Sequence, residues 1–297
     1  MTRPSPIPAT PADATTSRAP YQTALKAHLT RYKEERLGVR QSGTWSGNDK
    51  SYSHILPPAL KRLNLLETIR REFAAYQERA EGGKLKLHRD FHHLTSSQAM
   101  AFNLFFPFVG GLAPDAGRLL ELLGARGERI ATSRFEAVPN LKEGTNFDLH
   151  LVLESGKQVF LEVKLSETEY GGASANAERK AKLDNHYAPR LRGKVADDCL
   201  ESPLFFRHYQ LLRNVSHLEL ERGDRLAVVR PRANEALRGS EQWLIAALQG
   251  ECGGRVGFLD LEDLAVDLMR QRHLPPRVAA HYELFGEKYL IPEEPGR

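Results

Sequence analysis

Apolar and polar positions along the chain divide it into a helical first section and a mixed remainder. Residues 21–37 (YQTALKAHLTRYKEERL) read as a helix of mixed charge that Gly38 can end. A Gly/Ser-rich loop, RQSGTWSGNDKSYSHILPP, follows and closes on Pro57-Pro58. A second helix is predicted from about Ala59 to Glu81, stopped by Gly82-Gly83. Thr95-Ser96-Ser97-Gln98 spells a capping box, with Thr95 as N-cap and Gln98 three residues on, ahead of the apolar helix AMAFNLFF.

Beyond residue 110 the pattern changes. Pro114 suits the first turn of a short helix, DAGRLLELLG, that Gly124 ends. RIATSRFEAV reads as a strand, and TNFDLHLVLESGKQVFLEVKL as two more. Residues 168–200 are polar and loop-like, with some helix. Ser202-Pro203 opens a long helix, LFFRHYQLLRNVSHLELE, stopped by Gly223. RLAVVRP is a short strand, residues 235–249 a helix, and RVGFLDLEDLAVDLMRQ a strand-plus-helix unit. The order from Asp115 to Pro231 is therefore helix, three strands, helix, strand. The expected organisation is α/β: a disordered Pro-rich tail (1–20), a mainly helical N-terminal section (21–112), a core (113–232) and C-terminal α/β additions packed on it (233–297).

Composition narrows the class. The chain has 297 residues, 41% hydrophobic and 27% charged, as soluble globular proteins do. No run approaches the ~18 apolar residues of a membrane span; AFNLFFPFVGGLA is broken by Asn103, Pro107 and two glycines. The tail lacks the apolar centre of a signal peptide, and its prolines prevent an amphipathic transit helix. Two distant cysteines, Cys199 and Cys252, fit the reducing cytoplasm and exclude a disulfide framework or a zinc finger. A net charge of +4 agrees with a nucleic-acid partner without demanding one. No phosphate-cradling G-x-x-x-x-G-K-[ST] and no G-x-S-x-G elbow occurs.

The hairpin at 145–165 carries the candidate chemistry. Alternation puts Leu149, Leu151 and Leu153 on one face and Asp148, His150 and Val152 on the other. On the second strand Val159, Leu161, Val163 and Leu165 share a face, opposite Phe160, Glu162 and Lys164. A two-residue loop, Ser155-Gly156, would set Asp148 against Val163 and mix both faces. A three-residue loop, Glu154-Ser155-Gly156, gives Gly156 the left-handed position this loop wants and sets Asp148 against Glu162. Two carboxylates facing each other, Cα atoms ~4.5–5.5 Å apart, repel. Lys164 offsets only part of that. A divalent cation such as Mg²⁺ prefers such oxygens and would remove the repulsion. The lysine beside it could orient a water, or take its proton if its own pKa were depressed. The plainer alternative is a solvated face whose charges have no role.

Asp148, then Glu162-Val163-Lys164 on the next strand, within that element order, resembles the PD-(D/E)XK nucleases and their restriction-endonuclease-like fold over roughly residues 114–231. FHHLTSSQAMAFNLFFPF, EGTNFDLHL and FFRHYQLLRN are similar to an uncharacterised bacterial branch labelled as restriction endonucleases, over most of the chain past Tyr21. Phe147 stands where the motif has proline, a position the superfamily often leaves without one. The resemblance implies that Asp148 and Glu162, with the Val163 carbonyl, hold Mg²⁺ or Mn²⁺, and that Lys164 is the catalytic lysine. Some branches place a glutamine on the following helix. Here Arg207, Gln210, Asn214 and His217 share a polar stripe, opposite Phe205, Tyr209, Leu212 and Val215. Gln210 would hold the scissile phosphate or Lys164, and Arg207 and Asn214 neighbouring phosphates; the plainer alternative is an ordinary amphipathic helix. A fourth acid in this fold often comes from the first helix or strand, which makes Glu121 and Glu136 candidates, although each alone also reads as a solvated acid.

The function so implied is a metal-dependent endonuclease with a restriction or defence role, acting on DNA, with a homodimer left open. The alternatives are a catalytically inactive nucleic-acid-binding protein on the same fold, and a small-molecule metal hydrolase on an unrelated scaffold. The last would hold Asp148 and Glu162 beyond a side chain's reach. The basic cluster Arg179, Lys180, Lys182, Arg190, Arg192 and Lys194 is either a solvated loop or a grip on phosphates. His88, His92 and His93 lie near Asp90, where structural or phosphate-contacting roles outweigh a metal site for want of a strong third ligand. Trp45 and Tyr52 either stack on bases or pack.

Overall fold

A hairpin meander and two parallel crossovers build the central sheet. The computed structural model describes residues 20–79, 85–271 and 274–292. The expected tail, apart from residue 20, and the Gly82-Gly83 stop lie outside them. The N-terminal section comprises α1 (Pro20–Glu35), an antiparallel hairpin of β1 (Gly43–Trp45) and β2 (Lys50–Tyr52), α2 (Arg70–Arg79) and α3 (Ser97–Val109). Then come α4 (Gly117–Leu122), β3 (Ile130–Ala137), β4 (Phe147–Leu153) and β5 (Gln158–Val163). Four short helices, α5 (Ala177–Lys182), α6 (Ala188–Leu191), α7 (Ser202–Arg207) and α8 (Tyr209–Ser216), lead to β6 (Arg225–Arg230). The chain continues through α9 (Arg238–Ala247), β7 (Val256–Asp260), α10 (Leu261–Met269) and α11 (Pro276–Tyr289).

The sheet order is β3-β4-β5-β6-β7, antiparallel from β3 to β5 and parallel from β5 to β7. Parallel neighbours need crossovers; both of these pack on one face, and helices from the two ends of the chain cover the other. One apolar cluster joins Leu149, Leu151, Val159, Leu161, Val163 and Val229 to side chains of α1, α3, α10 and α11. The other joins Phe160, Leu226 and Val228 to α7, α8 and α9. The face of Phe160, Glu162 and Lys164 is therefore covered, not solvated. Among the described residues no helix is long and apolar enough to cross a membrane.

Several elements depart from their sequence reading for identifiable reasons. The helix expected from Ala59 to Glu81 is split into a 3₁₀ segment, Pro58–Asn64, and α2. Asn64 is fully buried; its amide donates to Phe91 O and His93 O, and Asn103 Nδ2 donates to its carbonyl at 2.9 Å. Leu66 N donates to Asn103 Oδ1 at 2.8 Å, so these groups have tertiary partners in place of helical ones. The cap of α3 is Ser96, not Thr95, and Gln98 accepts from His88 N at 2.8 Å instead of closing a capping box. Helix α4 begins at Gly117, past Pro114, where Asp115 Oδ1 accepts from Gly117 N at 2.7 Å. The long helix from Ser202 breaks at His208, whose ring stacks on Trp243 with centroids 3.6 Å apart. Ala173 N takes Phe206 O at 2.8 Å and Gly171 O takes Gln210 N at 3.2 Å, so the backbone of 171–173 replaces helical partners at the break. The segment read as polar loop, 168–200, contributes Tyr170, Leu183, Tyr187, Leu191 and Val195 to the second cluster. Helix α11 was not foreseen: His281 and Lys288 are buried in it, where a simple apolar stripe would have none.

Candidate active site

The β4–β5 turn sets the geometry. Leu153 N donates to Lys157 O and Gly156 N to Leu153 O, both at 2.9 Å, and Gly156 has φ 86°. This is the three-residue loop Glu154-Ser155-Gly156 with its glycine left-handed. The ladder pairs Val152 with Gln158, Leu151 with Val159, His150 with Phe160 and Leu149 with Leu161. One step on, the same register sets Asp148 against Glu162. There Val163 N donates to Asp148 Oδ2 at 2.7 Å, so the carboxylate takes the place of a backbone acceptor at the end of the ladder.

On the other side of β4, Phe135 pairs with Leu149 and Ala137 with Phe147, which sets Glu136 beside Asp148. Glu136, Asp148 and Glu162 thus form a row across three adjacent strands, which lie ~4.8 Å apart in such a sheet. Glu136 has φ 49°, a left-handed conformation that costs a non-glycine residue about 1–3 kcal/mol. It accepts from Asn146 Nδ2 at 2.6 Å. Glu121 stays outside the row, paired with Arg118 at 2.9 Å and Arg126 at 3.6 Å.

The row carries more negative charge than its surroundings neutralise. Burial, then Glu162 and Glu136, raise the Asp148 pKa well above the ordinary carboxylate range. Burial raises Glu136 too, against the bonds from Gln98 and Asn146 and with help from Glu162. Lys164 answers part of this. Its Nζ lies 3.0 Å from Glu162 Oε1 and donates to Gln210 Oε1 at 3.0 Å. Gln210 Nε2 donates to Glu162 Oε1 at 2.8 Å, and Asn214 Nδ2 reaches Glu162 Oε2 at 3.4 Å. Burial works to lower the lysine's pKa, but Glu162 and Glu167 outweigh it and the net direction is up. In this arrangement the Lys164 ammonium is held between Glu162 and Gln210.

Helix α8 delivers Gln210 and Asn214 together because they are one turn apart. The longer stripe does not survive the break at His208. Arg207 lies exposed before it, and His217 turns away to Glu143 at 3.0 Å. Asn214 is 1% exposed, so it holds Glu162 inside the protein and is not available to a phosphate. In the basic cluster Lys180 is exposed, Arg179 donates to Ser174 O at 2.8 Å, and Lys182 is spent on Glu143 O at 2.8 Å. His92 Nε2 contacts Thr44 O at 3.0 Å, and burial pushes the His93 pKa down to about 4, with His92 adding to it.

Sequence reasoning passed over Glu143, whose carboxylate binds Thr145 N at 2.6 Å, Thr145 Oγ1 at 2.7 Å, Tyr187 OH at 2.5 Å and Arg213 Nε at 3.0 Å. It locks the loop that joins Glu136 to Asp148. Its signal was faint: an acid in a Gly-Thr turn just before a strand. Gln98 and Asn146, the partners of Glu136, were likewise invisible without the register.

The donor set fits a hard divalent cation, since it offers carboxylate oxygens in excess of positive charge. Among the described residues no three His, Cys, Asp or Glu side chains are grouped to hold a metal as they stand. The fit therefore rests on Asp148 and Glu162, with Glu136 adjoining them.

No curated protein and no solved structure matches the chain. A family model described as restriction endonuclease associating with ARP matches residues 26–290. With nearly all of its described residues inside that match, this chain belongs to the family of restriction endonucleases associating with ARP.

Proposed function

We propose that the chain is a Mg²⁺-dependent endonuclease of the PD-(D/E)XK type, hydrolysing phosphodiester bonds in DNA. The observation that carries this reading is the row of facing carboxylates with Lys164 and Gln210 bonded at one end of it. Asp148 and Glu162 would hold the ion, Mg²⁺ or Mn²⁺, with the Val163 carbonyl as a further oxygen donor. Bound there, such an ion lowers the pKa of a water and neutralises charge growing on phosphate. Lys164 is positioned to hold a phosphate oxygen or the attacking water by its ammonium. Gln210 fixes Lys164 and Glu162 relative to each other, so neither has to reorganise during reaction. A protein that only binds nucleic acid gains nothing from three acids facing a polyanion, and this favours a cutting enzyme. The family's description adds an association with ARP, and such a partner belongs to the same proposal.

The test is cleavage of labelled DNA and RNA by the purified chain, with and without Mg²⁺. Cation-dependent cutting of DNA is expected, abolished by Asp148→Ala, Glu162→Ala or Lys164→Ala in variants that keep their fold. Full activity of Glu162→Ala overturns the mechanism, and cutting confined to RNA overturns the substrate.

A further inference from the structure

The β1–β2 hairpin holds an aromatic cluster that the reaction above does not use. Trp45 is 38% exposed, and its ring meets Tyr52 edge-on at 6.4 Å and His93 at 6.5 Å. The indole is held stiffly. Gly47 runs so close that a Cβ there would sit 2.7 Å from the ring. Asn48 Nδ2 donates to the Tyr52 hydroxyl at 2.8 Å, and His92 anchors the strand through Thr44 O at 3.0 Å. A rigid ring with one side open loses little freedom on binding a second flat ring.

Hydrogen bonds connect this hairpin to Gln98, on the helix next to the acid row. Ser46 Oγ donates to Asp90 Oδ1 at 3.2 Å, Asp90 N to His88 Nδ1 at 3.2 Å, and His88 N to Gln98 Oε1 at 2.8 Å. Gln98 in turn favours the charged form of the Glu136 carboxyl. Along this path Lys86, His88 and Arg89 are exposed, and Lys50 is exposed on the hairpin itself. Exposed Lys86, Arg89 and Lys50 beside an exposed indole match a single strand of nucleic acid: phosphates along the cations, a base on the ring. A duplex matches less well, because its bases are already stacked.

We propose that Trp45, backed by Tyr52, stacks on an unpaired base of the substrate strand, whose phosphates follow Lys86 and Arg89 towards the acid row. This deepens the nuclease reading and rests on it for the direction of the strand. It implies that the enzyme engages single-stranded or locally opened nucleic acid beside the cut.

Tryptophan emission tests this directly. The chain has two tryptophans, and the other, Trp243, is 7% exposed and stacked on His208. The full-length protein is titrated, without divalent cation, with a labelled single-stranded DNA oligonucleotide and with its duplex. Emission and oligonucleotide anisotropy are followed together. The expected result is quenching by the single strand, tighter binding of it than of the duplex, an affinity about tenfold weaker in Trp45→Ala, and recovery in Trp45→Phe. Binding with unchanged emission, equal affinity of Trp45→Ala and wild type, preference for the duplex, or no binding at all overturns the platform. The quenching arm uses the wild-type chain and stands even where a variant does not fold. Asp148-dependent cutting by a Trp45→Ala chain of unchanged affinity defeats the platform and leaves the nuclease reading. Quenching and Trp45-dependent affinity in a chain that never cuts do the reverse.

Discussion

Gln210 accepts from the Lys164 ammonium at 3.0 Å and thereby fixes it beside the Glu162 carboxylate. The same amide donates to Glu162 at 2.8 Å, so one neutral side chain holds both partners of an ion pair. Removing it frees Lys164 to swing towards Glu167 or solvent. A hydrogen bond to a charged group is worth about 1.5–3 kcal/mol, which corresponds to a loss of roughly ten- to a hundredfold in the cleavage step. Gln210→Ala is expected to show that loss in single-turnover cleavage with DNA affinity unchanged. A wild-type rate would mean that the amide has no positioning role.

Asp148 faces Glu162 and adjoins Glu136, and ion-free protein bears the cost of that crowding. Asp148→Asn keeps the acceptor for Val163 N and removes one charge. Without divalent cation the variant should be more stable than wild type by about 1 kcal/mol, a rise of roughly 2–4 °C in Tm for a chain of this size. Adding Mg²⁺ should raise the wild-type Tm and leave the variant's nearly unchanged, because a ligand stabilises only the form that binds it. A destabilised variant, or an equal Mg²⁺ response in both, would contradict the charge-crowding account.

The hairpin was legible because a period of two and a glycine in the turn determine register together. Leu153 pairing with Lys157 placed Asp148 against Glu162 without any tertiary information. Glu136 and Glu121 were both candidates in the sequence, but the choice between them was not legible. It depends on how β3 registers with β4 across the loop 138–146, and on a left-handed residue that sequence does not advertise. The break at His208 was hidden for a similar reason: its cause is the backbone of 171–173, remote in sequence, together with the Trp243 ring. Buried Asn64 likewise ends a helix through partners at 91, 93 and 103. Local periodicity cannot register competitors that arrive from elsewhere in the chain.

Glu143 is the lock on that connecting loop. Burial works to raise its pKa, but His217, Tyr187 and Thr145 outweigh it and hold the carboxyl far below the usual range. Its folded pKa is depressed, so its contribution is fully present above the unfolded carboxyl value of ~4.3 and is lost as pH falls below that. Glu143→Gln removes the charge opposite Arg213 and should cost about 3 kcal/mol at neutral pH. Urea unfolding followed from pH 7 towards pH 3 should show the wild type losing its advantage over the variant as acid is added. A gap that stays constant across that window would show that the carboxylate's charge contributes nothing.

Arg207 and Lys182, both candidate phosphate contacts by sequence, make opposite forecasts for salt dependence. Arg207 is exposed at the break before α8, whereas the Lys182 ammonium is bonded to Glu143 O at 2.8 Å. Each phosphate contact contributes close to one unit to the slope of log affinity against log salt. Arg207→Ala and Lys180→Ala should each flatten that slope by about one unit in DNA binding measured across a salt series. Lys182→Ala should leave the slope unchanged and instead lower the Tm, because it opens the loop that Glu143 closes. An equal change in slope for Lys182→Ala would place its amine on the nucleic acid after all.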